Sequence, residues 1–277
     1  MCSSDLIRRG RPPQLETGSP QVSPFFVLQS IVLLTRHPLL RHLKILLCFL
    51  LIAAPFHAAA DAVDFDTQTL TIALTQEPPQ LNGMKATDAV SIFVLSHVME
   101  GLVRYDRRGR IVPGVAESWE IDDQGATFKL RDNALWSDGA PVTAHDFVFA
   151  WRKALEPATA SEYAFILYAV KNAEAINTGG MDSSQLGATA VDDRTLKVEF
   201  ERPIGYFLKL TAFVSYFPVL EDFFQSRGDR YAADAVDMVY NGPFRMTEWV
   251  HSASMKMVKN ETYWDKDNIL DRKSTRL

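Results

Sequence analysis

Three histidines lie in the body of this 277-residue chain, His97, His145 and His251, and none stands at metal-binding spacing from another His or a Cys. Acids are adjacent twice, at Asp122-Asp123 and Asp192-Asp193. Paired carboxylates can do acid–base work when both face one substrate, but neighbours in a turn point apart, so both pairs read as turn formers. The two cysteines, Cys2 and Cys48, precede residue 61, which leaves no disulfide and no thiol chemistry for the body. There is no GxGxxG, Walker loop, HExxH or GxSxG pattern. A secreted hydrolase would need a Ser, Cys or carboxylate constellation gathered from distant parts of the chain. No catalytic residue, metal ligand or cofactor is assigned. The chemistry that remains is recognition.

The elements that would position such a surface are clearest between Pro113 and Pro157. A Pro113-Gly114 turn leads to a half-buried segment around Trp119, and Asp122 to Gly125 makes a polar turn. Thr127 to Leu130 then alternates as a strand does. After a turn at Asp138-Gly139, Thr143 and Asp146 form a capping pair that opens a helix. Phe147, Ala150, Trp151 and Leu155 give that helix one apolar face, and Pro157 ends it.

Elsewhere the pattern predicts a short strand over Leu70–Leu74, stopped by Pro78-Pro79. A helix capped by Asp88 is expected through Glu100, with Val90, Phe93, Val94, His97 and Val98 on or near its apolar side. His97 reads as a packed histidine at the surface edge. Arg107-Arg108-Gly109-Arg110 reads as a solvated hairpin tip. Helices are expected over Glu162–Val170, near Ser183–Leu186, between Pro203 and Pro218, and around Phe223-Phe224. Ala188–Val191 and Leu196–Phe200 suit a hairpin with an acidic turn. Asn241-Gly242-Pro243 is a turn preceding the hairpin Phe244–Val250 and Ser254–Val258.

With 47% hydrophobic and 23% charged residues the chain can bury a core. Its formal charge is −5, unevenly spread: residues 1–60 hold six Lys/Arg and two acids, leaving 23 basic against 32 acidic residues beyond. An acidic body argues against nucleic acid or an anionic membrane as partner. Arg36, Arg41 and Lys44, then the apolar run Ile45–Ala54 and the small residues Ala58-Ala59-Ala60, form a cleavable signal peptide over residues 36–60. Cys48 follows Leu47, not the small residue that a lipid-anchor signal needs. The mature chain is therefore expected to be periplasmic and to start near Asp61. Residues 1–35 have a non-native or disordered composition, and 272–277 read as a non-native tail.

The segments Gly114-Val115-Ala116-Glu117-Ser118-Trp119, Phe128-Lys129-Leu130-Arg131, Trp136-Ser137-Asp138-Gly139 and Pro141-Val142-Thr143-Ala144 through Trp151 resemble the signature of family 5 extracytoplasmic solute-binding proteins. The likeness reaches weakly from about Leu70 to about Trp264. Through Glu156-Pro157-Ala158-Thr159-Ala160-Ser161-Glu162-Tyr163-Ala164 it favours the oligopeptide-binding branch. The resemblance implies a mixed α/β fold of the periplasmic-binding-protein type II kind. Residues 61–99 would begin lobe I, 100–222 form the small subdomain, and 223–271 continue lobe I.

Members of the family are much longer, so the resemblance implies an N-terminal fragment lacking the second lobe, with little or no ligand affinity of its own. It implies capture of peptides for an ABC permease and ATPase, as a monomer and without catalysis. Tyr163 matches a tyrosine near the ligand backbone, though packing beneath a helix would also explain it. Thr87 stands where the oligopeptide branch has a glutamate, and Thr87, Asp88 and Ala89 can pair with ligand through backbone. Asn241 is a hinge or cleft residue by motif position, or simply part of its turn. Alternatives are a relative binding another solute (a nickel complex or a sugar), the hydrolase above, or a non-functional gene fragment.

Overall fold

Side-chain alternation builds the central sheet. In strand β6 (Gly125–Leu130) the buried residues are Ala126, Phe128 and Leu130, every second one, so a single face meets the core. The computed structural model describes residues 63–64, 69–70 and 72–269. The expected signal peptide, both terminal stretches and both cysteines lie outside the described residues. β5 (Ala116–Ile121) pairs antiparallel with β6 across the Asp122 turn, where the Asp122 carboxylate accepts from the backbone N–H groups of Gln124 and Gly125. β6 then pairs with β8 (Thr195–Glu199), and β8 with β7 (Ala188–Asp192), giving the order β5-β6-β8-β7. Gly125 is required there, because a Cβ would lie 2.2 Å from the Val198 carbonyl oxygen. The Asp192-Asp193 pair turns that hairpin, with Asp192 accepting from the Arg194 N–H.

Helix α2 (Ala144–Leu155) covers this sheet. Its capping box is present: the Asp146 carboxylate accepts from the Thr143 N–H at 2.8 Å. Phe147, Ala150, Trp151 and Leu155 are all fully buried, each large one contributing about 1.5–3 kcal/mol. The Trp151 indole donates to the Tyr216 carbonyl at 3.0 Å, and the Trp136 indole donates to Asp146 at 3.2 Å. Burial is the main cause that raises the Asp146 pKa to about 6, against the opposing pull of the Thr143 and Trp136 donors.

Around this core lie β1 (Val63–Asp64) paired with β2 (Thr69–Leu70), helix α1 (Ala89–Val98), and the hairpin β3 (Val103–Tyr105) with β4 (Ile111–Pro113). Helices α3 (Ala173–Asn177), α4 (Phe207–Leu210) and α5 (Glu221–Arg227) are short. β9 (Phe244–Val250) and β10 (Ser254–Lys259) close the described part as a hairpin. The described residues cluster into a single unit that begins at Asp61.

Several expectations change. The strand over Leu70–Leu74 pairs only at Thr69–Leu70, and residues 72–74 have no strand partner. The helix over Glu162–Val170 is a 3-10 turn at Ala164–Ala169, and the one near Ser183 is 3-10 as well. Between Pro203 and Pro218 there is one helical turn, α4, followed by a 3-10 turn at Val214–Tyr216. Helix α1 ends at Val98 rather than Glu100, and Phe93 is 40% exposed while Ser91 and Leu95 are buried. His97 does pack at the surface edge, against the Phe93 ring at 4.6 Å.

Candidate functional site

The loop before α1 is held rigid by its own polar side chains. Asn82 offers its side-chain oxygen to the Met84 N–H at 3.0 Å, and its carbonyl accepts from the N–H groups of Lys85 and Ala86. Gln80 donates to the Lys85 carbonyl and Ser161 to the Met84 carbonyl, at 3.0 and 2.6 Å. Asp88 caps α1, one carboxylate oxygen accepting from the N–H groups of Val90 and Ser91 at 3.1 and 2.8 Å. Thr87 is held by a side chain distant in sequence. Its carbonyl accepts from the Tyr163 hydroxyl at 3.1 Å.

Tyr163 is half-buried and braced by aromatic rings, Phe165 at 5.8 Å and Phe213 at 6.0 Å. Its hydroxyl gives its one proton to Thr87, so the oxygen keeps lone pairs that can accept from an N–H group. The Thr87 carbonyl likewise has a second lone pair. The structure thus brings Tyr163, Thr87, Asp88 and Ala89 together, with Ala89 exposed at the start of α1. The Asp88 carboxylate serves as a helix cap.

Asn241 lies at the other end of α1, which at 1.5 Å per residue is about 15 Å away. It is 2% exposed, and both halves of its amide engage the Glu100 backbone: the oxygen accepts from the N–H at 2.9 Å and the nitrogen donates to the carbonyl at 2.8 Å. Gly242 must be glycine, since a Cβ there would come within 2.6 Å of the Met99 nitrogen. Asn241 therefore joins two chain segments through its amide, one bond on each side.

Glu100 itself escaped the sequence reading. Its carboxylate is buried, accepting from the Tyr263 hydroxyl and, at 2.6 Å, from the Trp264 indole. Arg104 approaches it to 3.6 Å while donating to Asp265 at 2.9 Å, and Arg131 stacks 3.7 Å over the Trp264 ring. Burial dominates and raises the Glu100 pKa to about 7; the same burial and the adjacent carboxylate push the Tyr263 phenol up. The signal available in sequence was one acid inside the apolar run from Val98 to Val103.

Beside the 84–87 loop opens a groove of about 800 Å³. Lys85, Lys153 and Asp229 contribute charge to it, and Phe224, Tyr231 and Trp249 contribute rings. At its rim Glu77 accepts from the Trp249 indole at 3.0 Å and from Ser252, and pairs with His251 at 2.6 Å. The His251 contact is the main cause that lowers the Glu77 pKa. No group of three or more metal-binding side chains occurs among the described residues.

A family model described as bacterial extracellular solute-binding proteins, family 5 Middle, matches residues 110–274. The chain belongs to this family. Among family 5 relatives, the oligopeptide-binding protein OppA of Bacillus subtilis is 43% identical over 203 residues, covering 73% of this chain and 37% of that protein. The probable deoxycholate-binding periplasmic protein YgiS of Escherichia coli is 37% identical, covering 77% of this chain and 41% of its own length. The solved structure of Listeria monocytogenes OppA bound to peptide superposes with a TM-score of 0.74 at 36% identity, covering 76% of this chain and 42% of that one. The chain thus spans about two-fifths of the length of these relatives, and its mixed α/β fold is that of part of their substrate-binding domain.

Proposed function

We propose that this chain is part of an extracytoplasmic receptor that holds peptides by their backbone and hands them to an ABC permease and ATPase, without catalysis. The observation that carries the reading is the pair of fixed, half-exposed acceptors, Tyr163 Oη and Thr87 carbonyl, at the start of α1. Peptide N–H groups are donors that such acceptors select, much as an added strand is held. Thr87 brings no charge, so this part of the site favours backbone over any ionic group of the ligand. Export through the signal peptide at 36–60 would place the receptor in the periplasm, as a monomer. We read residues 100–222 as the small subdomain, with 61–99 and 223–271 flanking it as lobe I.

Titration of the chain with trialanine, followed by amide NMR resonances, tests this. Shifts confined to residues 85–89 and 161–165, at dissociation constants weaker than micromolar, are expected. Shifts at tens of millimolar peptide that fall outside these residues overturn the reading. A second reading, capture of an amphipathic small solute, draws on the 37% identity to YgiS. Sodium deoxycholate below its micelle concentration would then move these resonances where trialanine does not.

A further inference from the structure

The chain has two Asn-Gly pairs, Asn82-Gly83 and Asn241-Gly242, and the fold treats them oppositely. In such a pair the glycine nitrogen can reach the preceding side-chain amide, because glycine has no Cβ to obstruct the approach. At Asn241 every participating group is already engaged. Its side-chain oxygen and nitrogen bond the Glu100 backbone, the Gly242 N–H donates to the Val98 carbonyl at 3.0 Å, and the residue is buried. At Asn82 only the side-chain oxygen is engaged, accepting from the Met84 N–H at 3.0 Å. Among the described residues neither the Asn82 side-chain nitrogen nor the Gly83 N–H has a hydrogen-bond partner. Both residues are half-buried, and Asn82 lines the groove of about 800 Å³, where water reaches it.

We propose that Asn82 is a modification site, converted by solvent water to aspartate and isoaspartate. The Gly83 nitrogen bonds to Asn82 Cγ and gives its proton to water. The Cγ–Nδ2 bond breaks, and that nitrogen takes up a proton and leaves as ammonia. Water then adds to one of the two carbonyls of the resulting cyclic imide and opens it to a carboxylate. The net change consumes one water and releases one ammonia, with nothing oxidised or reduced. Negative charge develops on Oδ1 in the first step, and the Met84 N–H already donates to that atom. Isoaspartate carries an extra methylene in the main chain, which disrupts the turn in which the Asn82 carbonyl accepts from the N–H groups of Lys85 and Ala86. Either product adds a negative charge to the groove that Lys85 also lines.

The test is incubation of the 277-residue chain in mildly alkaline buffer, with peptide mapping by mass spectrometry over time. Asn82 is expected to exchange its amide for a carboxylate at least about thirtyfold faster than Asn241, which must first break two buried hydrogen bonds. In urea, where the fold no longer separates them, the two pairs should react at similar rates. Asn82→Gln should abolish the early mass gain of the folded chain. Amide exchange at Lys85 and Ala86 should quicken as Asn82 converts. Equal rates at the two pairs in the folded chain, no gain at Asn82, or a difference that persists in urea overturns the proposal. Unchanged exchange at Lys85 and Ala86 overturns the loss of the turn. The two pairs are compared within one unmodified chain, so the outcome does not depend on a variant folding.

Discussion

The two ends of helix α1 handle polar groups in opposite ways. At its start, Tyr163 and Thr87 share one half-buried hydrogen bond at 3.1 Å and keep acceptor capacity that this bond does not use. At its finish, Glu100 is 4% exposed and its carboxylate is enclosed by Tyr263, Trp264 and Arg104, with Asn241 fastened to its backbone. A polar group serves a ligand only if some of its bonding capacity is unmet within the protein. A polar group serves the fold only if none is. The second end is a fastening between α1 and the segment that follows β10, and the first is where the proposed peptide contact would lie.

The sharpest way to break that contrast is at the fastening. Glu100→Ala leaves the buried Tyr263 hydroxyl and the half-buried Trp264 indole without this acceptor, while Arg104 keeps its bond to Asp265. A loss of about 3–5 kcal/mol is expected in urea denaturation. A loss under about 1 kcal/mol would mean that the enclosure is not structural.

Next in size is the pH dependence. The folded pKa of Glu100, about 7, lies above its ordinary 4.5, so between those values the folded chain holds more protons than the unfolded one. Its contribution is fully present below about pH 4.5 and is lost as pH rises through 7, amounting to about 3 kcal/mol at most. Asp146, raised by burial to about 6, adds a slope of the same sign. Arg104, Arg131 and Asp265 are the charged groups facing Glu100, and Arg104 and Arg131 oppose the rise. Glu100→Gln should flatten the stability profile between pH 5 and 7 and leave the Asp146 part. An unchanged slope would assign the titration elsewhere.

How far the sequence foretold these two ends differs for a physical reason. The start of α1 was legible locally: Asp88 caps within three residues, and the α2 face and its Thr143–Asp146 box follow from spacing alone. Tyr163 and Thr87 were paired with a ligand only through the family resemblance, and their mutual contact spans 76 positions. Glu100 meets Tyr263 across 163 positions, a separation that no periodicity records. The 3-10 turn at Ala164–Ala169 was expected as an α-helix because over six residues the two patterns bury nearly the same side chains. Phe93 faces outward because the α1 residues that meet the core are Ser91, Val94, Leu95 and Val98, and hydrophobicity alone could not say which side that would be.

The smaller effects belong to the open end. Asp88→Ala removes the acceptor of two backbone N–H groups and should destabilise by about 1 kcal/mol, loosening Thr87 as it does so. Denaturation together with amide exchange at Val90 and Ser91 would check both.

Tyr163→Phe separates the two roles most cleanly. It removes one half-buried hydroxyl and keeps the ring contacts with Phe165 and Phe213, so a stability loss of about 0.5–1 kcal/mol is expected. Peptide binding should weaken by much more in proportion, because the variant keeps the fold and loses the acceptor that the proposed peptide contact needs. Parallel urea denaturation and trialanine titration read both quantities on one protein. A variant that loses stability like Glu100→Ala but binds trialanine as before would make Tyr163 a fastening too, and would erase the distinction between the two ends of α1.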